Sequence, residues 1–220
     1  MDGSIAQHVT IDAAYAHPVP AGVSVEQAAM AEPVSVGVWA ARRTQLTAGD
    51  DVLVTGAGPI GLLAAQVARA VGAGVPTVTD LSPFRLERAR ALGLRTIVAG
   101  EPLDRGFDVL LECSGAPAAA SAGMQALAPG GRVALVGMGA DTLPLDVALV
   151  QGRELTVSGV FRYAHTYPLA LQLISSGAVD VEAVITHRFA VAETEQALTI
   201  GRRDPDALKA VVSTGPESTT

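Results

Sequence analysis

The sequence predicts an α/β protein built as a doubly wound parallel sheet, and three observations carry that prediction. A short apolar run at 52–54 leads into Gly56, Gly58 and Gly61 in G-x-G-x-x-G spacing. Apolar residues then recur at helical intervals (Ile60, Leu63, Ala64, Val67, Ala68, Val71), and a second apolar run at 75–79 stops on Asp80. Strand-like and helix-like segments continue to alternate as far as residue 175, which is the pattern of a parallel sheet with helices on both faces. Gly56 would let the chain turn off the first strand, Gly58 would leave room for a pyrophosphate, and Gly61 would let the helix lie close on the sheet. Pro59 opens the helix, whose first amides are free to hold phosphate. Asp80 lies about 20 residues further on, where an acid accepts hydrogen bonds from ribose hydroxyls. Its charge repels a 2′-phosphate and so favours NAD over NADP.

Before this unit, residues 1–20 show a short alternating stretch and a turn at Pro18 and Pro20, read as a strand or two. His8 and His17 have no Cys, Asp or Glu at ligand spacing and read as surface or turn histidines. Residues 24–43 are helical in pattern, with Ser24 and Gln27 spaced as a capping box. Pro33 interrupts the run, so Glu32 is expected to leave helical geometry and a second helix to start there. Glu32 is an acid in an apolar stretch, and two readings stay open: an exposed acid at a helix start, or one kept for chemistry.

Beyond Asp80 a helix is expected over 83–92, a third strand over 96–99 and a fourth over 107–112. The eight or so residues between these strands are too few for a crossover helix. Extended, they span roughly 26–29 Å, enough to return to the far side of the first strand. A helix over 116–127 follows, then a fifth strand over 132–136 entered through Pro129-Gly130-Gly131. A sixth strand covers 155–160, and a helix over 166–175 is ended by Gly177. The tail offers a strand-like segment at 186–189, a helix from about 194 to 202 and a short strand at 208–212. Residues 213–220 read as a disordered tail.

Composition narrows the function classes. The chain has 220 residues, 49% of them apolar and only 4% aromatic, so its core is mostly Ala, Val and Leu. Net charge is −7 without a basic block, which argues against nucleic acid and anionic membrane surfaces. No apolar run reaches the roughly 18 residues of a membrane span, and no signal peptide follows Met1. A cytoplasmic location is the default expectation. The single cysteine, Cys113, excludes an internal disulfide and any zinc site built from two thiolates of the described sequence.

Seven blocks in order carry a resemblance: EPVSVG at 32–37, GAGPIG at 56–61, TDLSPFR at 79–85, ECSGA at 112–116, GGRVALVGMG at 130–139, GVFRY at 159–163 and THRF at 186–189. Together they resemble the zinc-containing medium-chain dehydrogenases, most closely the sorbitol and xylitol (polyol) branch, over residues 2–212. The resemblance implies a Rossmann domain over 46–189. Remnants of a β-rich, GroES-like catalytic domain would lie at both ends, over 1–45 with a bridging helix and over 190–212. By the same resemblance, Val36, Ile60, Asp80, Arg85, Cys113, Val136, Gly137, Met138, Phe161 and Arg162 would line the NAD site beside the glycine turn. Glu32 would hydrogen-bond a zinc-bound water or substrate, and Arg162 and Tyr163 would face the hydroxyls of a polyol. The family's zinc ligands sit in about a hundred earlier residues that this sequence lacks, so no metal ligand is assigned and turnover by this chain is expected to be impaired. Cys113 reads as a small buried residue. The resemblance also implies a homodimer through the sixth strand. The alternative to an enzyme is a non-catalytic NAD-binding module or dimerising fragment.

Overall fold

The computed structural model describes residues 5–6 and 8–214. Six parallel strands form the main sheet: β1 (Val52–Thr55), β2 (Thr77–Asp80), β3 (Arg95–Val98), β4 (Phe107–Glu112), β5 (Leu127–Leu135) and β6 (Thr156–Gly159). Their order is β3-β2-β1-β4-β5-β6. The order reverses between β1 and β4, the place where open α/β sheets form a ligand crevice. Nothing helical joins β3 to β4, as the short connection requires, and β4 pairs directly with β1.

Side chains alternate along each strand and feed two cores. On one face, Val52, Val54, Val78, Val109 and Leu111 pack beneath α2 (Ala31–Arg43), α3 (Pro59–Ala70) and α7 (Tyr167–Ser175), with Ala89 of α4 (Pro83–Ala91). On the other, Leu53, Leu110 and Val133 pack beneath α5 (Pro117–Ala126), and Leu149 and Val150 of α6 (Val147–Gly152) border them. The first face has a second helical layer because α2 crosses α3 at a glycine: a Cβ on Gly37 would lie 3.0 Å from the Ala64 Cα. On the second face α5 reaches β1 through Leu53, but no helix covers β2, since the β3–β4 connection is too short to supply one.

Several expectations need correction. Glu32 is helical: α1 (Val25–Ala29) ends one residue before Met30, and α2 starts at Ala31. Pro33 then lies in the first turn of α2, where its missing N–H is one that no helix bonds. The first closing bond is Val34 N–H to the Met30 carbonyl. Ser24 and Gln27 do form the reciprocal capping box. The expected strands before residue 20 are absent among the described residues. A short 3₁₀ turn, Ala13–Tyr15, stands there instead, its first amides held by Asp12. Val9 and Ile11 remain about half exposed, since one strand alone cannot pair its backbone. β5 begins earlier than expected, at Leu127, and Pro129-Gly130-Gly131 forms a bulge between the Leu127 and Arg132 pairings. Helix α6 was not foreseen. Residues 185–213 give β7 (Ile185–Ala190), α8 (Thr194–Arg203) and β8 (Lys209–Ser213), with β7 and β8 forming a separate parallel pair. Ser213 is therefore part of a strand, and residues 215–220 of the expected tail lie outside the described residues.

One ion pair pins β5, just past its bulge, to the loop before β1. Arg132 donates to Asp50 Oδ1 at 2.7 Å and to the Gln45 carbonyl at 3.0 Å. Burial by itself raises the Asp50 carboxyl, but the 2.7 Å bond from the Thr47 amide and the Arg132 guanidinium outweigh it and hold the group below the usual carboxylate range. A native carboxylate that resists protonation stabilises the fold above its unfolded value of about 3.9. That contribution disappears as pH falls through the native pKa. Asp50→Asn is therefore expected to lower the unfolding free energy at pH 7, and the gap to wild type should close below about pH 4. Urea unfolding of both proteins across pH measures it.

Candidate functional site

Turns at the C-terminal ends of β1, β2, β4, β5 and β6 surround the crevice, and close backbone contacts determine their shapes. Gly56 takes φ +92°, a conformation that favours glycine, and a Cβ there would lie 2.9 Å from the Ser114 Cα. A Cβ on Gly61 would overlap the Gly56 carbonyl oxygen. Gly58 differs: its φ of −69° suits any residue, and the space where its Cβ would stand is empty. The absence of a side chain at Gly58 thus serves the open crevice, whereas at Gly56 and Gly61 it serves packing. No side chain caps the N-terminus of α3, so the Ile60 and Gly61 amides have no partner within the helix and face the crevice with the positive end of its dipole.

Asp80 closes this unit from the side. Its Oδ2 accepts the Ala57 amide at 2.7 Å, and its Oδ1 accepts the Ser82 amide at 2.8 Å. Arg85 stands 3.9 Å from Oδ2. The glycine turn is thus fastened to the end of β2 by the acid that the sequence singled out, a second duty for that residue. Each carboxylate oxygen has a second lone pair to offer a ligand.

The remaining predicted residues divide into two groups. Val136 and Gly137 follow β5, and both amides bond the Glu112 carbonyl at 2.8 Å. Cys113 follows β4 with its amide on the Thr55 carbonyl; burial first, and then the Glu112 carboxylate, push its thiol above the ordinary range. That fits a small packed side chain better than a thiolate ligand. Met138 and Phe161 are 84% and 75% exposed, apolar side chains standing free at the rim. At the mouth, the Tyr163 hydroxyl donates to Glu32 Oε1 at 2.6 Å, which joins two predicted residues far apart in sequence. Burial, the Glu32 bond and the nearby Tyr167 all push the Tyr163 phenol upward. Tyr167 is stacked in turn against His17 at 5.2 Å. Arg162 does not join this pair; its guanidinium lies 5.2 Å over the Phe161 ring. Val36 is half-buried on α2, one turn along from Glu32.

Reading motifs missed a cavity of about 710 Å³ beneath the β3–β4 connection, lined by Thr55, Thr79, Leu81, Leu103, Ala119 and Ala122 among others. The missing crossover helix was its signal: with no helix over β2 on the second face, the space beside α5 stays open. The described residues do not by themselves hold a zinc ion, since no three His, Cys, Asp or Glu side chains among them converge. The dinucleotide fits better, because a free helix terminus, an open glycine and an acid meet at one switch point.

A sheet of this order with such a turn defines a Rossmann-type nucleotide-binding domain. The profile of the zinc-binding dehydrogenases matches residues 59–176, and the chain belongs to that family. It is 37% identical over 210 residues to the sorbitol dehydrogenase of Bacillus subtilis (strain 168), a match covering 90% of this chain and 60% of that protein. Identity to the sorbitol dehydrogenase of Pongo abelii is 40% over 203 residues, covering 86% and 56%. Among solved structures, 2R,3R-butanediol dehydrogenase from Bacillus subtilis superposes with a TM-score of 0.82 at 26% identity, covering 90% of this chain and 60% of that one. The chain spans about 60% of the length of the relatives it matches.

The glycines separate by stability. Gly61→Ala must displace the Gly56 carbonyl and is expected to cost about 2–3 kcal/mol. Gly58→Ala meets no atom and should cost less than about 1 kcal/mol, the penalty for Ala at a helix N-cap. Chemical denaturation of the two variants checks the ranking.

Proposed function

We propose that this chain binds NAD across the β1/β4 switch point and is the cofactor-binding part of a polyol or secondary-alcohol dehydrogenase, which moves hydride between a hydroxyl-bearing carbon and nicotinamide. The observation that carries the reading is Asp80, an acid held at the end of β2 beside an uncapped helix N-terminus. In this reading the Ile60 and Gly61 amides hold the pyrophosphate over Gly58. Asp80 takes the adenosine ribose hydroxyls, with Arg85 alongside, and the adenine lies against Leu81 towards the cavity beneath the connection. Val36, Cys113, Val136, Gly137, Met138 and Phe161 border the path to the nicotinamide. Glu32 and Tyr163, already hydrogen-bonded to each other, would present a carboxylate and a hydroxyl to substrate hydroxyls, with Arg162 able to swing in from the rim. Bound NAD supplies the hydride acceptor; the residues bind, orient and exclude water around it.

Residues 1–45 and 190–212 are assigned, on the same reading, to the adjoining catalytic domain. Zinc would take its ligands from residues outside those described here. The similarity to sorbitol dehydrogenases supports a polyol as substrate, and a cytoplasmic location accords with the absence of any described helix long and apolar enough to cross a membrane.

NADH fluorescence titration tests the cofactor assignment. Wild type is expected to bind NADH at least tenfold more tightly than NADPH, a difference of about 1.4 kcal/mol. Asp80→Ser should erase that preference and weaken NADH binding at least tenfold. Equal affinities in wild type would overturn the NAD assignment.

We also propose a homodimer through β6. Among the described strands, β6 pairs only with β5 and leaves one edge open, and Val157 is 36% exposed. Two copies related by a two-fold axis could pair these edges into one continuous sheet. Light scattering is expected to return twice the chain mass of 22.4 kDa, and a strictly monomeric mass would remove the proposal.

A further inference from the structure

At the C-terminal end of β4, Glu112 is a carboxylate with 3% exposure and no ion-pair partner among the described residues. Every partner it has is a donor. Thr55 Oγ1 of β1 donates to its Oε1 at 3.2 Å, Ser114 Oγ at 2.5 Å and the Ser114 amide at 2.9 Å. The Gly115 amide is shared between both oxygens, at 3.1 and 3.2 Å. Four donors from one strand and one turn thus converge on a side chain that faces no solvent.

The turn it holds lies between two walls of the crevice. On one side Ser114 touches Gly56, where even a Cβ would lie 2.9 Å from the Ser114 Cα. On the other, Gly115 touches the loop after β5. A Cβ on Gly115 would lie 2.8 Å from the Gly139 amide nitrogen, and one on Gly137 would overlap the Gly115 amide. The backbone of Glu112 adds to this, because its carbonyl accepts the Val136 and Gly137 amides. Shifting the 113–116 turn by a few tenths of an ångström must therefore shift the glycine turn, the β5 loop, or both.

We propose that Glu112 is a positioning residue for the nucleotide crevice: its carboxylate fixes the 113–116 turn and, through it, the spacing between the glycine turn and the β5 loop. The inference rests on the NAD reading above but names a residue that touches no part of the cofactor. Gln is the informative replacement. It keeps the shape but loses the charge, and with its carbonyl in the Oε1 place its NH₂ stands where Oε2 now meets the Gly115 amide at 3.2 Å, donor against donor.

The test is calorimetric titration of NADH into wild type, Glu112→Gln and Ser114→Ala, each also recorded as an amide ¹H–¹⁵N spectrum. Ser114→Ala removes the 2.5 Å bond to Glu112 and the hydroxyl that accepts the Ala116 amide at 3.1 Å, keeps the carboxylate, and serves if Glu112→Gln does not fold. Glu112→Gln is expected to bind NADH at least tenfold more weakly and Ser114→Ala about threefold. In both, the Ser114 and Gly115 amide signals should shift, with Met138 and Gly139 following and α7 unmoved. Unchanged affinity in the folded variants, or shifts spread evenly over the sheet, would overturn the positioning role while leaving the NAD reading intact. A wild type that binds no NADH would overturn the NAD reading, and this inference with it.

Discussion

Backbone pressed against backbone at the C-terminal edge of the sheet is the constraint on which the rest of the structure depends. Gly56 lies against Ser114, Gly61 against the Gly56 carbonyl, and Gly115 against Gly137 and Gly139. At those places a single methyl group would force two chain segments apart, and well-packed interiors resist even such small changes. The turns after β1, β4 and β5 can therefore share one narrow crevice. The apolar strands and helices stabilise the domain, but these contacts decide the shape of its functional edge. Gly58, with open space beside it, is the exception, and its position over the uncapped α3 terminus is why the crevice reads as a place for a ligand.

Much of this architecture was legible in the sequence because the physics behind it is local. Strands buried on both faces read as continuous apolar runs, the glycine turn has fixed spacing, and Asp80 ends its strand. A connection too short for a helix is visible by length alone. That reading gave the strand order around β1, though not the cavity formed beneath the short connection. The less legible elements were those governed by contacts distant in sequence. Helix α6 opens on a four-residue apolar run, 147–150, that could equally be a strand; the cue was Asp146, whose side chain caps the Leu149 amide. The early start of β5 depends on a bulge that only pairing with β4 reveals. Residues before Pro20 alternate like a strand, yet strand geometry needs a partner, and none of the described segments provides one.

The site shows the same division. Glu32 and Tyr163 could be named from the family resemblance, but their 2.6 Å hydrogen bond follows from α2 lying beside the segment after β6. Arg42 of α2 reinforces that approach by donating to the Ala164 and His165 carbonyls. Arg162, adjacent in sequence to Tyr163, follows the opposite course and covers Phe161, because consecutive residues of an extended segment point to opposite sides. Glu112 was quoted as part of a motif without a role, since nothing in a linear sequence shows that four donors will meet at one carboxylate.

Asp80 illustrates how selectivity and architecture become coupled in such a site. The carboxylate gives one acceptor position to the Ala57 amide and one to the Ser82 amide, so the same charge that would discriminate between nucleotides also holds the glycine turn against β2. A replacement without an acceptor oxygen removes both at once: the repulsion of a 2′-phosphate and the anchor of the turn meant to receive the pyrophosphate. A buried N–H deprived of its acceptor costs about 1–3 kcal/mol, comparable with the discrimination itself. Relaxing the proposed preference for NAD is therefore not a single-residue matter in this fold, because whatever replaces Asp80 must still accept the Ala57 amide before it can favour a different ribose.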